Sequence, residues 1–150
     1  MNNTKKDDIK PFEVLLIENN PVDVDLTRMA FEDRALPYRL HVAKDGVEAM
    51  SFLHRKGPFA DAPRPDLILL EIRIPGKSGL EVLAEIKGAV DFNQIPVVIL
   101  TSSKTDRDIQ RSYSLHANCY VVKPVDLDEY IGSVQRIEDF WLTHVKLPSL

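Results

Sequence analysis

Three short segments of the chain are almost purely apolar and show no alternation of apolar and polar residues. Uniformly apolar strands of this length are typical of a parallel β-sheet that is covered on both faces. Two weaker strand candidates bring the predicted sheet to five strands. In chain order, the predicted strands are residues 14–17, Tyr38–Ala43, Leu67–Leu70, 97–100 and Cys119–Val122.

The segments between these strands carry apolar residues at helical spacing. Each segment opens with a residue whose side chain suits the cap of a helix, and the first has proline at its first helical position. The five predicted helices begin near Asn20, Asp45, Ser78, Thr105 and Asp126, and the last one continues to Trp141. The alternation of strands and helices predicts an α/β three-layer sandwich with right-handed crossovers.

Composition narrows the class of protein. A length of 150 residues predicts one domain, which we place at residues 12–142 between terminal tails at 1–11 and 143–150. The formal net charge of −4 argues against a nucleic-acid partner, because such binders usually carry a basic face. The single cysteine, Cys119, excludes a disulfide scaffold and favours a reducing compartment. No apolar run approaches ~20 residues and the start is polar, so we expect a cytoplasmic protein without a membrane partner.

Polar side chains that suit a binding site follow the first, third, fourth and fifth predicted strands, where the chemistry of such a sheet is expected. Glu18 and Asn19 follow the first strand, Glu71 the third, Thr101 the fourth and Lys123 the fifth. The carboxyl ends of parallel strands share one edge, so these side chains are expected to converge. Carboxylate and amide oxygens suit Mg²⁺, and a lysine with a hydroxyl suits a phosphoryl group. The chain has neither glycine-rich loop of the common nucleotide-binding motifs, which disfavours a flavin or nucleotide carrier.

At this point the sequence resembles the receiver domain of two-component response regulators, over roughly residues 12–142. The resemblance rests on the motifs LLIENNP at 15–21, DLILLE at 66–71, IPGKSG at 74–79, VILT at 98–101 and VKP at 122–124. The proline-rich loop 57–66, the run ANCY at 117–120 and the ending IEDFWL at 137–142 are similar to the stand-alone regulators that partner bacterial, chiefly cyanobacterial, phytochromes.

The resemblance implies a flavodoxin-like (βα)5 fold with strand order 2-1-3-4-5, and a site that binds Mg²⁺. Glu71 stands at the phospho-acceptor position, which is normally aspartate. Glu18, Asn19, Glu71 and the backbone carbonyl of Arg73 stand at the metal-ligand positions. The implied partner is a phytochrome-like sensor histidine kinase, and no enzymatic activity of the chain's own is expected.

The resemblance also implies a switch and a dimer. Thr101 and Lys123 would contact the phosphoryl group, the Lys123–Pro124 bond would be cis, and Tyr120 would be the aromatic switch. Homodimerisation is implied through the fourth and fifth helices and the fifth strand. The interface residues that we predict are Tyr130, Phe140 and Trp141.

Two departures from the family pattern predict poor or absent phosphorylation. Glu71 is longer than aspartate by one C–C bond, roughly 1.5 Å, and Asn19 removes a charge from the metal site, which predicts weak or absent Mg²⁺ binding. One hypothesis is that the Glu71 carboxylate reaches Lys123 and Thr101 and so mimics a phosphorylated state. The alternatives are a pseudo-receiver that acts as a dimeric interaction module and, less favoured, a Mg²⁺-dependent phosphohydrolase. The hydrolase usually needs an acid two residues after its nucleophile, where this chain has Arg73.

Overall fold

The computed structural model describes residues 10–148, which contain a five-stranded parallel sheet with the order β2-β1-β3-β4-β5. The predicted fold class and strand order are therefore confirmed. The strands are β1 Phe12–Ile17, β2 Tyr38–Ala43, β3 Leu67–Leu70, β4 Val97–Thr101 and β5 Cys119–Val122.

Five helices alternate with the strands. They are α1 Pro21–Glu32, α2 Gly46–Leu53, α3 Gly79–Gly88, α4 Asp106–Ser114 and α5 Leu127–Glu138. A short 3-10 helix, Gly57–Phe59, lies in the proline-rich loop, and a π-helical segment, Asp139–His144, follows α5. Every α-helix has a side-chain cap that accepts a backbone N–H, and the capping residues are Asn20, Asp45, Ser78, Thr105 and Asp126. The predicted helix starts are thus explained by satisfied terminal N–H groups.

Two apolar clusters lie on opposite faces of the sheet. Successive strand residues point to opposite faces, so Leu15 and Ile17 join the cluster under α2 and α3, whereas Val14 and Leu16 join the cluster under α1 and α5. Both clusters are closed to solvent at the central strands, which explains why residues 14–17, 67–70 and 97–100 are all apolar. The sheet is therefore a rigid base that fixes the residues following its strands.

The chain ends differ in detail from the predicted tails. Leu147, within the predicted tail 143–150, packs against the α1–α5 cluster. The chain stays helical through Trp141, as predicted, but the regular α-helix ends at Glu138 and a wider π-helical segment continues from there. Most of the predicted tail 1–11 and the last two residues lie outside the described residues. Within residues 10–148, no helix is both long enough and apolar enough to cross a membrane.

A buried carboxylate lies at the junction of α5 and the π-helical turn. The side chain of Glu138 is fully buried and neither carboxylate oxygen has a hydrogen-bond partner. Burial raises the pKa of Glu138 to about 7, although the nearby Arg34 acts against this rise. The Arg34 guanidinium itself pairs with the neighbouring Asp139. The fold therefore carries an uncompensated acid that is costly whenever it is ionised.

We predict that Glu138→Gln stabilises the protein in a pH-dependent manner. The folded-state pKa lies above the ordinary value of 4.5, so the wild type loses stability as the pH rises from that value towards 7, and the amide cannot ionise. The gain should be absent at pH 4 and reach on the order of 3 kcal/mol at pH 8, as measured by urea unfolding. Glu129→Gln, at an exposed position of the same helix, is the control and should change stability little. An equal gain at both pH values would contradict this account.

Candidate functional site

The carboxyl ends of β1, β3, β4 and β5 lie along one edge of the sheet, and Glu18, Glu71 and Lys123 come together there. Ladder hydrogen bonds set their positions: Glu71 N–H donates to the carbonyl of Ile17 at 3.0 Å, and Lys123 N–H donates to the carbonyl of Thr101 at 2.7 Å. Because each backbone is held by the neighbouring strand, the side chains leave the sheet at fixed points. The result is a cluster of charged side chains at the carboxyl edge of the sheet, which we call the pocket.

The ammonium group of Lys123 occupies the centre of this pocket. Its Nζ donates to Glu18 Oε1 at 2.8 Å, to Asp23 Oδ2 at 2.8 Å and to Glu71 Oε1 at 2.9 Å. The Lys123 side chain is only 6% exposed. An ammonium has three N–H donors, so all three are used by carboxylates.

Asp23 is a member of this cluster that the sequence analysis missed. It lies in the first turn of α1, which begins at Pro21, only four residues after β1 ends. A helix that starts so soon after a strand keeps its first turn above the same edge of the sheet. An acidic residue in that turn, five positions after Glu18, was the available signal.

The Glu71 carboxylate is bound at both oxygens. While Oε1 accepts from Lys123, Oε2 accepts from the backbone N–H groups of Ile72 and Arg73 at 2.8 and 3.3 Å. The loop lies close to the start of α3. A Cβ added at Gly79 would be only 2.4 Å from the carbonyl oxygen of Glu71, so this close approach requires glycine. The acceptor side chain is therefore folded back onto its own loop.

Thr101 is fully buried at the end of β4, but the described residues show no hydrogen bond between it and Glu71. Thr101 Oγ1 instead accepts from the N–H of Ser103 at 3.4 Å. The hypothesis that Glu71 reaches both Lys123 and Thr101 thus matches the structure for Lys123 only. The reason is that the second oxygen of Glu71 is engaged by its own loop.

Charge in the pocket is unbalanced, with three carboxylates around one ammonium. Burial raises the pKa of Glu18 to about 7, although the hydrogen bond and the charge of Lys123 oppose this rise. Burial alone would lower the pKa of Lys123, but its hydrogen bonds to Asp23, Glu18 and Glu71 outweigh burial and raise it. Lys123 consequently stays charged, and the raised pKa of Glu18 lets it take up a proton more readily than an ordinary glutamate.

The predicted metal ligands are only partly brought together. Glu18 and Glu71 meet at Lys123, but Asn19 is exposed beside the pocket. No group of three or more acidic, histidine or cysteine side chains within residues 10–148 has the arrangement of a metal site. The carboxylate oxygens nevertheless suit Mg²⁺, and Glu18 Oε2 is buried without a partner. The residues therefore fit a divalent cation chemically, with the Lys123 ammonium as its competitor.

The Arg73 side chain points away from the pocket. Its guanidinium, 68% exposed, donates to Asp108 Oδ2 of α4 at 3.0 Å. The same Asp108 oxygen accepts from the hydroxyl of Ser103, and this contact is the first cause of the lowered pKa of Asp108. The ion pair thus connects the loop after β3 with α4, and the Ser103 hydroxyl connects α4 with the loop after β4.

Tyr120, the predicted switch residue, is half-buried on β5. Its hydroxyl donates to the carbonyl of Ser103 at 2.8 Å, which ties β5 to the loop after β4. The expectation of a cis bond between Lys123 and Pro124 is wrong, because residues 10–148 contain no cis peptide.

Two of the three predicted dimer-interface residues lie at or near the surface, and one does not. Phe140 is exposed and packs edge-to-face on Trp141, which is half-buried. The prediction of Tyr130 as an interface residue is wrong, because its side chain is buried in the α1–α5 cluster and its hydroxyl lies 3.1 Å from Thr27 Oγ1. Tyr130 belongs to the apolar stripe by which α5 packs on the sheet, and its hydroxyl reaches the neighbouring helix α1.

A sheet of this order, with acids and a lysine at its carboxyl edge, defines a receiver-type signalling domain. The model of the response regulator receiver domain matches residues 14–135, and the chain belongs to that family. The response regulator Rcp1 of Synechocystis sp. is 42% identical over 139 residues, which cover 93% of this chain and 95% of Rcp1.

Two solved structures are similar in fold. The phosphorylated cyanobacterial phytochrome response regulator RcpA superposes with a TM-score of 0.91 at 42% identity, over 93% of this chain and 100% of RcpA. The Mn²⁺-bound form of Rcp1 superposes with a TM-score of 0.89, at the same identity and coverage.

We predict that Lys123→Met destabilises the protein by about 3–5 kcal/mol at pH 8, because it leaves three carboxylates facing one another. Protonation of Glu18, whose pKa is about 7, removes one of the three charges, so the loss should be smaller at pH 5. Urea unfolding at the two pH values measures the difference. Lys104→Met, at an exposed position, is the matched control and should cost no more than ~0.5 kcal/mol. A loss that is the same at pH 5 and pH 8 would show that the charge cluster is not its cause.

Proposed function

We propose that this chain is a receiver that takes its signal from a phytochrome-type sensor histidine kinase and passes it on through protein contacts, with little or no phosphorylation at Glu71. The partner class is supported by the similarity to RcpA, a phytochrome response regulator. The observation that carries the reduced phosphorylation is the geometry of Glu71, whose two carboxylate oxygens are already bound by Lys123 and by the loop N–H groups.

In a working receiver, a carboxylate oxygen attacks the phosphorus of a phosphohistidine. The new O–P bond forms as the P–N bond breaks, and the bonding electrons return to the imidazole. The attack requires an in-line approach, and a displacement of ~1 Å can slow such a step ~10²-fold. Glu71 is displaced by its extra methylene and is held against its own loop. Its nucleophilic oxygen must also release Lys123 before it can attack.

A divalent cation in this pocket would neutralise the charge that develops on the phosphoryl oxygens. Glu18 and Glu71 would hold it, with Asn19 and the Arg73 carbonyl beside them. We propose that binding is weak, because Asn19 contributes no charge and because Lys123 already compensates both glutamates.

Exposed apolar side chains that are close in sequence to Asp23 and Lys123 support a protein partner. Val22 precedes Asp23 in α1, and Val125 and Leu127 follow Lys123 around the start of α5. Apolar side chains grouped at a functional edge mark contact surfaces. We assign this rim to the docking of the kinase.

A second candidate is a pseudo-receiver whose state is fixed without phosphorylation. The observation in its favour is the direct Glu71–Lys123 hydrogen bond at 2.9 Å, which places an acceptor oxygen on the lysine without a phosphoryl group. The exposed Phe140 supports a dimeric form of such a module. A phosphohydrolase is less well supported, because Arg73 pairs with Asp108 and offers no general acid.

We predict that a small-molecule phosphodonor with Mg²⁺ labels the wild type at least ~10²-fold more slowly than Asn19→Asp/Glu71→Asp. The double variant shortens the acceptor and returns a charge to the metal site. Intact-mass spectrometry over time measures the addition of one phosphoryl group. Asn19→Asp/Glu71→Gln, which lacks an acceptor carboxylate, is the control and should remain unlabelled.

Stoichiometric labelling of the wild type at Glu71 would refute both the reduced phosphorylation and the pseudo-receiver. Absence of labelling in the double variant would show that Glu71 and Asn19 do not cause the defect.

We also predict that the chain forms a dimer that Phe140→Asp disrupts, because the substitution places a charge on the exposed aromatic pair. Sedimentation velocity across a concentration series measures the dimer. Val90→Asp is the control, since Val90 is an exposed apolar residue between α3 and β4. A wild type that stays monomeric throughout, or equal effects of the two variants, would refute this interface.

A further inference from the structure

We propose that Asp23 is an internal competitor for Lys123: its carboxylate takes the ammonium N–H that a tetrahedral oxyanion would otherwise accept, and so controls anion binding in the pocket. The inference rests on the proposed function only in treating this pocket as the place where phosphoryl oxygens meet Lys123. The ligand chemistry is that of inorganic phosphate or a transferred phosphoryl group.

The first step of the argument is the saturation of Lys123. Its three N–H donors are all accepted by carboxylates at 2.8–2.9 Å, and the side chain is 6% exposed. An incoming oxyanion therefore gains a charge-assisted hydrogen bond only if one carboxylate gives up its place.

Among the three carboxylates, Asp23 is the one that can leave at the lowest cost. Its side chain is 20% exposed, compared with 3% for Glu18 and 11% for Glu71. Glu71 is also held by two backbone N–H groups, and moving Glu18 would leave a buried acid without its lysine. Asp23 alone can turn towards water and be hydrated there, so its desolvation penalty is recovered.

The backbone of Asp23 stays fixed while its side chain moves. Its N–H donates to the Asn20 cap at 3.3 Å, and its carbonyl accepts the Thr27 hydroxyl at 2.8 Å. The buried Tyr130 hydroxyl of α5 lies 3.5 Å from the same carbonyl. Displacement of the carboxylate is therefore a rotamer change and requires no unwinding of α1.

Two effects of Asp23 on an anion can be separated experimentally. The carboxylate occupies a donor of Lys123, and its negative charge repels anions through space. Asp25 lies in the same helix, carries the same charge and is exposed, with no hydrogen bond to Lys123. Removal of Asp25 changes the field in the region but frees no donor.

The test is a titration of the full chain with inorganic phosphate at constant ionic strength, followed by NMR of the backbone amides near Lys123. We expect Asp23→Ala to bind phosphate about tenfold more tightly than the wild type, because one charge-assisted hydrogen bond becomes available. Asp25→Ala should bind like the wild type. The phosphate affinity of Asp23→Asn should lie between those of Asp23→Ala and the wild type, since the uncharged amide oxygen can still accept a hydrogen bond from Lys123.

The site of binding is checked with Asp23→Ala/Lys123→Met, which should lose the gain. The proposal would be overturned if Asp23→Ala and Asp25→Ala bound phosphate with equal affinity, or if neither variant bound it measurably. A gain in affinity that survives the loss of Lys123 would also overturn it. If Asp23→Ala fails to fold, the comparison of Asp23→Asn with Asp25→Asn decides in the same way. Stoichiometric phosphorylation of the wild type would refute the proposed function yet leave this difference in affinity standing, so the two failures are distinguishable.

Discussion

A lysine ammonium buried among three carboxylates is the interaction on which this site depends. Transferring a charge out of water is costly, and an ion buried in a protein is tolerated only when its partners are close and well oriented. The partners of Lys123 come from the ends of β1 and β3 and from the first turn of α1. The cluster therefore ties three separate elements to the end of β5.

This cluster also explains how the departures from the family pattern act together. A glutamate at position 71 extends far enough to be held by Lys123 and by the loop amides at the same time. With an asparagine at position 19, the neighbouring position adds no charge to attract a metal ion. Lys123 already compensates part of the negative charge of the pocket, which is the basis of our proposal that a divalent cation binds weakly there.

Much of the site followed from the sequence, because the carboxyl ends of parallel strands must share an edge. The convergence of Glu18, Glu71 and Lys123 needed only the strand assignments and their parallel direction. Asp23 was not foreseen, since its contact with Lys123 depends on how α1 enters above the sheet and on a side-chain rotamer. Tyr130 was assigned to the dimer interface, although the apolar stripe of α5 already placed it among core-facing residues.

The ion pair between Arg73 and Asp108 has a different character from the buried cluster. Its guanidinium is largely exposed, so dissolved salt screens the attraction, and exposed pairs of this kind contribute roughly 0–1 kcal/mol. It is also the side-chain contact that joins the loop carrying Glu71 to the start of α4. The contact between this loop and α4 therefore weakens as the ionic strength rises, whereas the buried ion pairs of Lys123 are screened much less.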